Sequence, residues 1–303
     1  MENSYGAQDA AVLRRQRIQL SYRAALNNYK TLHGINRIPW VVWLVTVGTV
    51  GIWCFTAYQA ALAAGAHSLY DILANAARNA INIQDHDNDA LSNVLVTYGA
   101  KENSLILHGQ YWRFVTPIFL HANALHVGLN MLNFFILGVF LERLVGHLRF
   151  LLIYMVTGVI SIIASFYFAP HEISVGASGA IFGLVGAYSI FILVHRRAFP
   201  RGGAPALLWL VFIIGINLGI GIAIPNVDNY AHVGGLLSGS LLGWWFTPLY
   251  KLASPQSTSP TQLAYSAYTM IDTHSLLRRW PLAVLAIAGT FLLAIIALYH
   301  TGG

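Results

Sequence analysis

Charge is what this chain has least of. Only 9% of its 303 residues are Asp, Glu, Lys or Arg, against about 25% in soluble domains, and that excludes an ordinary water-soluble globule. Acidic residues are scarcer than basic ones, 11 against 17. The single cysteine, Cys54, rules out an intrachain disulfide and leaves the redox compartment open. Short alternating strands of the kind that build a membrane β-barrel are missing, and so is any internal repeat.

What the chain has instead is apolar length, with 56% of its residues hydrophobic. A hydrocarbon core of roughly 30 Å needs about 20 apolar residues in helix. Seven runs answer to this: 40–65, 124–144, 150–168, 177–194, 206–224, 231–249 and 281–299. The expected fold is all-α, a polytopic membrane helical bundle. The first run outlasts the roughly 7–15 apolar residues of a signal-peptide core, so it is read as a retained anchor.

The net charge of +6 is distributed by topology. With seven spans, fourteen of the seventeen basic residues fall on one side: six before the first span, Arg143 and Arg149 flanking the second connection, Arg196, Arg197 and Arg201 in the fourth, and Lys251, Arg278 and Arg279 in the sixth. Arg78, Lys101 and Arg113 share the other side with most of the acidic residues. By the positive-inside rule the N-terminus is cytoplasmic and the C-terminus outside. The surplus is therefore not a nucleic-acid footprint, and the partner implied is the lipid bilayer.

Four regions are expected. Residues 1–38 form a basic amphipathic cytoplasmic segment suited to lying on the membrane surface. Residues 39–250 form a six-helix core, with a long outer loop at 66–123 that carries aromatic residues at interface depth. Residues 251–280 form a cytoplasmic linker around "ASPQSTSPTQ", and residues 281–303 hold a seventh span. In the outer loop, Asp85, Asp87 and Asp89 imitate a calcium loop, but Ala90 and Val96 stand where that loop wants Gly and Glu. No metal site is expected, and no cofactor.

Polar side chains inside a bilayer are costly and call for a reason. The second span opens "HANALHVGLNMLN", with His126, Asn130 and Asn133 on one helical stripe. The fourth opens "SGAIFG" at Ser178, and the sixth "AHVGGLLSGSLLG" with His232. All three run from outside to inside, which places these groups within roughly 10 Å of the outer boundary. Taken singly, each has a plain structural role: a serine among glycines packs, and a lone His or Asn bonds between helices. Together they supply a nucleophile, a base and oxyanion donors, the parts of acyl transfer.

A serine hydroxyl is weak until a base takes its proton, and His232 is that candidate. Gly179, Gly183 and Ala187 on the fourth span, and Gly235, Gly239 and Gly243 on the sixth, repeat at four. Facing stripes of small residues would let these helices pack closely and bring base to serine. Phe182, one turn below Ser178, is expected against the imidazole. The N–H groups at the start of the fourth helix lack partners and favour an anion, and His126 and Asn130 can add donors. Glu142 lies a whole span away and Asp228 in the preceding loop, so the expectation is a Ser–His dyad. His121 is read as structural or interfacial. Gly215, Gly219 and Gly221, with the loop "PNVDN", mark the fifth span as a candidate substrate gate.

These pieces resemble the rhomboid intramembrane serine proteases. The matching stretches are "YWR" at 111–113, "HANALHVGLN" at 121–130, "GASG" at 176–179 and "AHVGGLLSG" at 231–239, in the family's order. The resemblance covers about 40–249, and "HGQYWRFVTPIFLHANALHVGLNM" is similar to bacterial members. It implies Ser178 as nucleophile, His232 as base, His126 and Asn130 as oxyanion ligands, and Trp112 and Arg113 as a structural element of the outer loop. Gly176 and Gly179 belong to the serine motif, and Gly235 and Gly239 to the histidine motif. Some members carry tyrosine where this chain has Phe182, and the position of Glu142 is structural. The resemblance further implies a six-plus-one helix arrangement, a bacterial plasma membrane with the active site toward the outer face, and single-pass transmembrane proteins as substrates. One rival is a catalytically silent relative acting as a membrane chaperone or dislocation factor, which typically lacks the serine or histidine. Another is a transporter, but the polar stripe stops in the outer half.

Overall fold

The computed structural model describes residues 38–72, 89–198, 200–223, 227–253 and 269–302. Residues 1–37 of the amphipathic segment, Asp85 and Asp87 of the acidic turn, Pro225 and Asn226 of the gate loop, and residues 254–268 of the linker lie outside these. Seven helices answer to the seven apolar runs. They are α1 (Trp40–Ala63), α4 (Ala124–Val145), α5 (His147–Phe168), α6 (Ser178–Val194), α7 (Ala204–Ala223), α8 (Asn229–Phe246) and α9 (Trp280–Gly302). Two shorter helices, α2 (Asp89–Tyr98) and α3 (Asn103–Leu107), fall in the long loop after α1, followed by 3-10 turns at Tyr111–Phe114 and Thr116–Phe119.

Five of the seven are long and apolar enough to cross a membrane: α1, α4, α5, the stretch Arg201–Gly219 that includes most of α7, and Trp280–Thr301 in α9. The other two carry Ser178 and His232. Helix α6 has only 17 residues, because residues 169–177 before it run as loop. Large apolar side chains lie bare on the outer faces, Leu129 and Ile136 on α4, Leu208 and Trp209 on α7 and Phe291 on α9 among them. Water would penalise such a surface and lipid does not. This is a multi-pass helical membrane bundle.

Helix α6 runs through the middle of the bundle, buried at every residue from Gly179 to Ala187, with α5 on one side and α8 on another. A Cβ on Gly235 would strike the Gly179 carbonyl, one on Gly239 the Gly183 carbonyl, and one on Gly243 would meet the Ala187 Cα at 2.7 Å. The two small-residue stripes thus touch backbone to backbone. Toward α5, Gly179 faces Ser161 and Gly183 faces Thr157.

The ends are fixed by side chains. Glu142, 1% exposed, reaches from α4 to the first turn of α1, where Val41 N and Val42 N donate to its two oxygens at 3.1 and 2.9 Å. It satisfies N–H groups that have no helical partner, and His147 Nδ1 meets it at 2.5 Å. Asn123 caps α4 by accepting from His126 N at 2.7 Å, and Asp228 caps α8 by accepting from Ala231 N at 2.9 Å. Helix α9 packs on α5 and belongs to the same compact unit as α1 to α8. The second unit contains an antiparallel pair, β1 (Tyr250–Ala253) and β2 (Thr269–Asp272), with Tyr250 opposite Asp272. These strands fall where only a linker was expected. Their alternation is too short to stand out in the sequence.

Candidate active site

Ser178 is the first residue of α6, His232 the fourth of α8, and His126 and Asn130 the third and seventh of α4. Helices α4, α6 and α8 present the same end to this point. Gly176 stops any earlier helix start, since its φ of +125° is one that side chains with a Cβ rarely adopt. The chain turns there and α6 begins at the serine.

The imidazole Nε2 of His232 lies 2.8 Å from Ser178 Oγ. His232 is 5% exposed, and its ring stacks on Phe182 with centroids 4.5 Å apart and planes 12° from parallel. The stack holds the plane of the ring, and within that plane Nε2 points at the hydroxyl. Nδ1, on the far side of the ring, is buried without a hydrogen-bond partner among the described residues.

Gly176 also reports where the second-span groups sit. A Cβ on it would lie 2.9 Å from Nε2 of His126 and 3.8 Å from Nδ2 of Asn130. Both side chains therefore abut the loop two residues before the serine. One amide hydrogen of Asn130 is spent on the His126 carbonyl at 3.0 Å, which fixes the side chain and leaves its other hydrogen available.

His121 is closer to the chemistry than its boundary position implied. It is 1% exposed, its Nε2 accepts from Ala177 N at 3.3 Å, and its ring stands edge-on to His126 at 5.0 Å. Burial, reinforced by the His126 ring, pushes the pKa of His121 down to about 3, so it is neutral and can accept. It holds the peptide that leads into Ser178.

The outer loop is tied down by buried cations. Arg113 donates to the carbonyls of Val96 and Ala100 at 2.7 and 2.8 Å and to Gln110 Oε1 at 2.7 Å, with its guanidinium 4.6 Å from the Trp112 ring centroid. Lys101, wholly buried, donates to Ala169 O at 2.5 Å and Glu172 O at 2.8 Å. Burial pushes its pKa down to about 8, opposed by the charges of Asp228, Glu172 and Glu102. Lys101 and Ser174 also exchange backbone hydrogen bonds, and Gly176 N donates to Pro117 O at 2.8 Å. Loop and serine approach are thus one hydrogen-bonded block. Lys101 gave no sign of this in the sequence, because one lysine in a polar loop reads as solvated.

A family model described as the rhomboid domain matches residues 108–249. RHOMBOID-like protein 5 of Arabidopsis thaliana is 32% identical over 235 residues, 74% of this chain and 74% of that protein. The chain belongs to the rhomboid family. Rhomboid protease GluP of Bacillus subtilis (strain 168) is 48% identical over 145 residues, 48% of this chain but 28% of GluP. RHOMBOID-like protein 2 of Arabidopsis thaliana is 41% identical over 184 residues, 59% of this chain and 57% of its own length. The chain therefore spans less than two thirds of the length of these two relatives. One of these rhomboid relatives is named as a protease.

Proposed function

We propose that this rhomboid is an intramembrane serine endopeptidase whose Ser178–His232 dyad hydrolyses peptide bonds in or beside transmembrane segments of single-pass membrane proteins. The observation that carries the reading is the 2.8 Å approach of Nε2 to Oγ across two helices whose glycines touch. That distance lies within the reach required for proton transfer.

The steps follow from the side chains. His232 Nε2 takes the hydroxyl proton as Oγ bonds to the scissile carbonyl carbon, and the C–N bond then breaks as the imidazolium returns that proton to the leaving amine. Water attacks the acyl-serine with the same base and releases the second product. Between these steps the carbonyl oxygen carries negative charge. Ser178 N–H, at a helix start and outside the intrahelical ladder, and the side chains of His126 and Asn130 are the donors this reading assigns to it. Chemistry of this kind draws on the chain's own residues and water.

The substrate peptide must leave its helix to reach the serine. Segments with small or helix-breaking residues near the outer face unwind at less cost and are the preferred sites. The core at 39–250 with an added span at 281–303, an N-terminus in the cytoplasm and a bacterial plasma membrane complete the reading. Trp112 and Arg113 support it as anchors of the loop, and Gly176, Gly179, Gly235 and Gly239 as the small residues that permit the approach.

The test is cleavage of a single-pass substrate by the purified protein in proteoliposomes. The native protein should release a product cut near the outer face, and Ser178→Ala and His232→Ala should release none. Equal cleavage by all three would end the proposal, and stable binding without any cleavage would favour the silent-relative reading.

A further inference from the structure

The two oxygens of Asp228 have different surroundings. Oδ1 accepts from Ala231 N at 2.9 Å and caps α8. Oδ2 is buried and receives no hydrogen bond among the described residues. Four residues on, in the first turn of α8, Nδ1 of His232 is also buried and also unpaired among them. The backbone turn between them is closed, since His232 N donates to Asp228 O at 3.2 Å, which holds the N-cap and the fourth residue of α8 at the same end of the helix. The two are not hydrogen-bonded to each other here, but a buried acceptor and a buried ring N–H are each expensive alone and complementary in charge.

Among the described residues, the ring's hydrogen-bonding and stacking partners are not acids. Ser178 and Phe182 meet it from α6. On α4, His126 abuts Gly176 two residues before the serine, with His121 beyond it. Against α5, the same turn of α8 packs Gly234 on Ala164. On the loop side lie Lys101 and Glu172, joined through Nζ to the Glu172 carbonyl. Asp228 is the strongest of the carboxylates acting on Lys101, which independently puts its charge at this end of the bundle.

We propose that Asp228 is a positioning residue for the base: one oxygen fixes the first turn of α8, and the other attracts the Nδ1 proton of His232. Nε2 is thereby kept free of a proton and aimed at Ser178. The inference rests on the reading of Ser178 and His232 as nucleophile and base. It also revises the sequence expectation, which set Asp228 aside as a loop residue. Its place as N-cap turns it into the carboxylate one turn from the imidazole.

Asp228→Asn separates the two roles, because Asn caps a helix about as well as Asp but carries no charge. The experiment is steady-state cleavage of a single-pass substrate by the full chain in proteoliposomes, over the pH range in which imidazole titrates, with melting temperature followed in parallel. The expected result is an unchanged melting temperature and KM, a kcat lower by about tenfold, and an acid limb of kcat/KM moved to lower pH by about one unit, because the imidazolium has lost its counter-charge. Asp228→Ser, which also caps, should behave likewise. A native kcat and pH profile in Asp228→Asn would overturn the role, and so would a loss confined to the melting temperature. Labelling of Ser178 by a fluorophosphonate keeps the two readings apart. If the native protein labels and only the Asp228 effect is missing, the dyad stands alone. If the native protein neither labels nor cleaves, both proposals fall.

Discussion

Asn130 spends one amide hydrogen on its own helix and keeps the other beside the serine loop. If that hydrogen meets the oxyanion, Asn130→Ala should lower kcat by about 10²–10³-fold with KM little changed, measured on a single-pass substrate. A matching rise in KM at constant kcat would instead mean a substrate contact. His121 makes a second prediction through its titration. It stays neutral down to about pH 3 in the fold, whereas an unfolded histidine takes its proton near 6.5. Between those values only the unfolded chain binds the proton. Its contribution is therefore whole above about pH 6.5 and falls as the pH drops toward 3. Melting temperature against pH should decline less steeply in His121→Gln than in the native protein. Ser178, His232, His126 and Asn130 stood out in the sequence because each is a polar group in an apolar run, and the structure brings them to one end of the bundle. The structural reading of His121 fits its buried bond to Ala177 N, whereas the burial of Lys101 left no mark on the chain.

Helices α6 and α8 meet where side chains are missing, and the consequence is a sharp contrast among glycines. A Cβ at Gly239 would drive into the Gly183 carbonyl, while one at Gly128 on α4 meets nothing within 4 Å. Gly239→Ala should therefore separate the two helices, lower the melting temperature and abolish cleavage. Gly128→Ala should leave both intact or raise stability slightly, as alanine favours helix over glycine by about 1 kcal/mol. Comparable behaviour of the two variants would argue that the close approach is not what holds the dyad. The repeat at four announced these stripes, and their facing pair is now visible in the backbone contacts. Element boundaries were less legible. Helix α8 begins at Asn229, two residues before its apolar run, because Asp228 caps it, and that shift turned a supposed loop acid into a neighbour of the base. The strands β1 and β2 lay in sequence that reads as linker, since four-residue pairings carry little periodicity.

Across the whole molecule, the arginine distribution and the polar groups tell one story from independent residues. Arginines set the expected orientation, and that orientation puts the starts of α4, α6 and α8 at the outer face. Reporter fusions after residues 146 and 198 should report cytoplasm, and one in the loop at residue 110 the exterior. The opposite pattern would turn the site inward and remove the proposed access from outside. Both units contain sequence the orientation depends on, and the unit of residues 39–247 and 279–303 holds every candidate site residue.

The most direct measurement of the central claim is mass spectrometry of the protein after reaction with a fluorophosphonate in proteoliposomes. A base 2.8 Å from the hydroxyl should make Ser178 the labelled residue in the native chain, and His232→Ala should lose the adduct although the serine is still present. No adduct on Ser178, or equal labelling with and without His232, would contradict it.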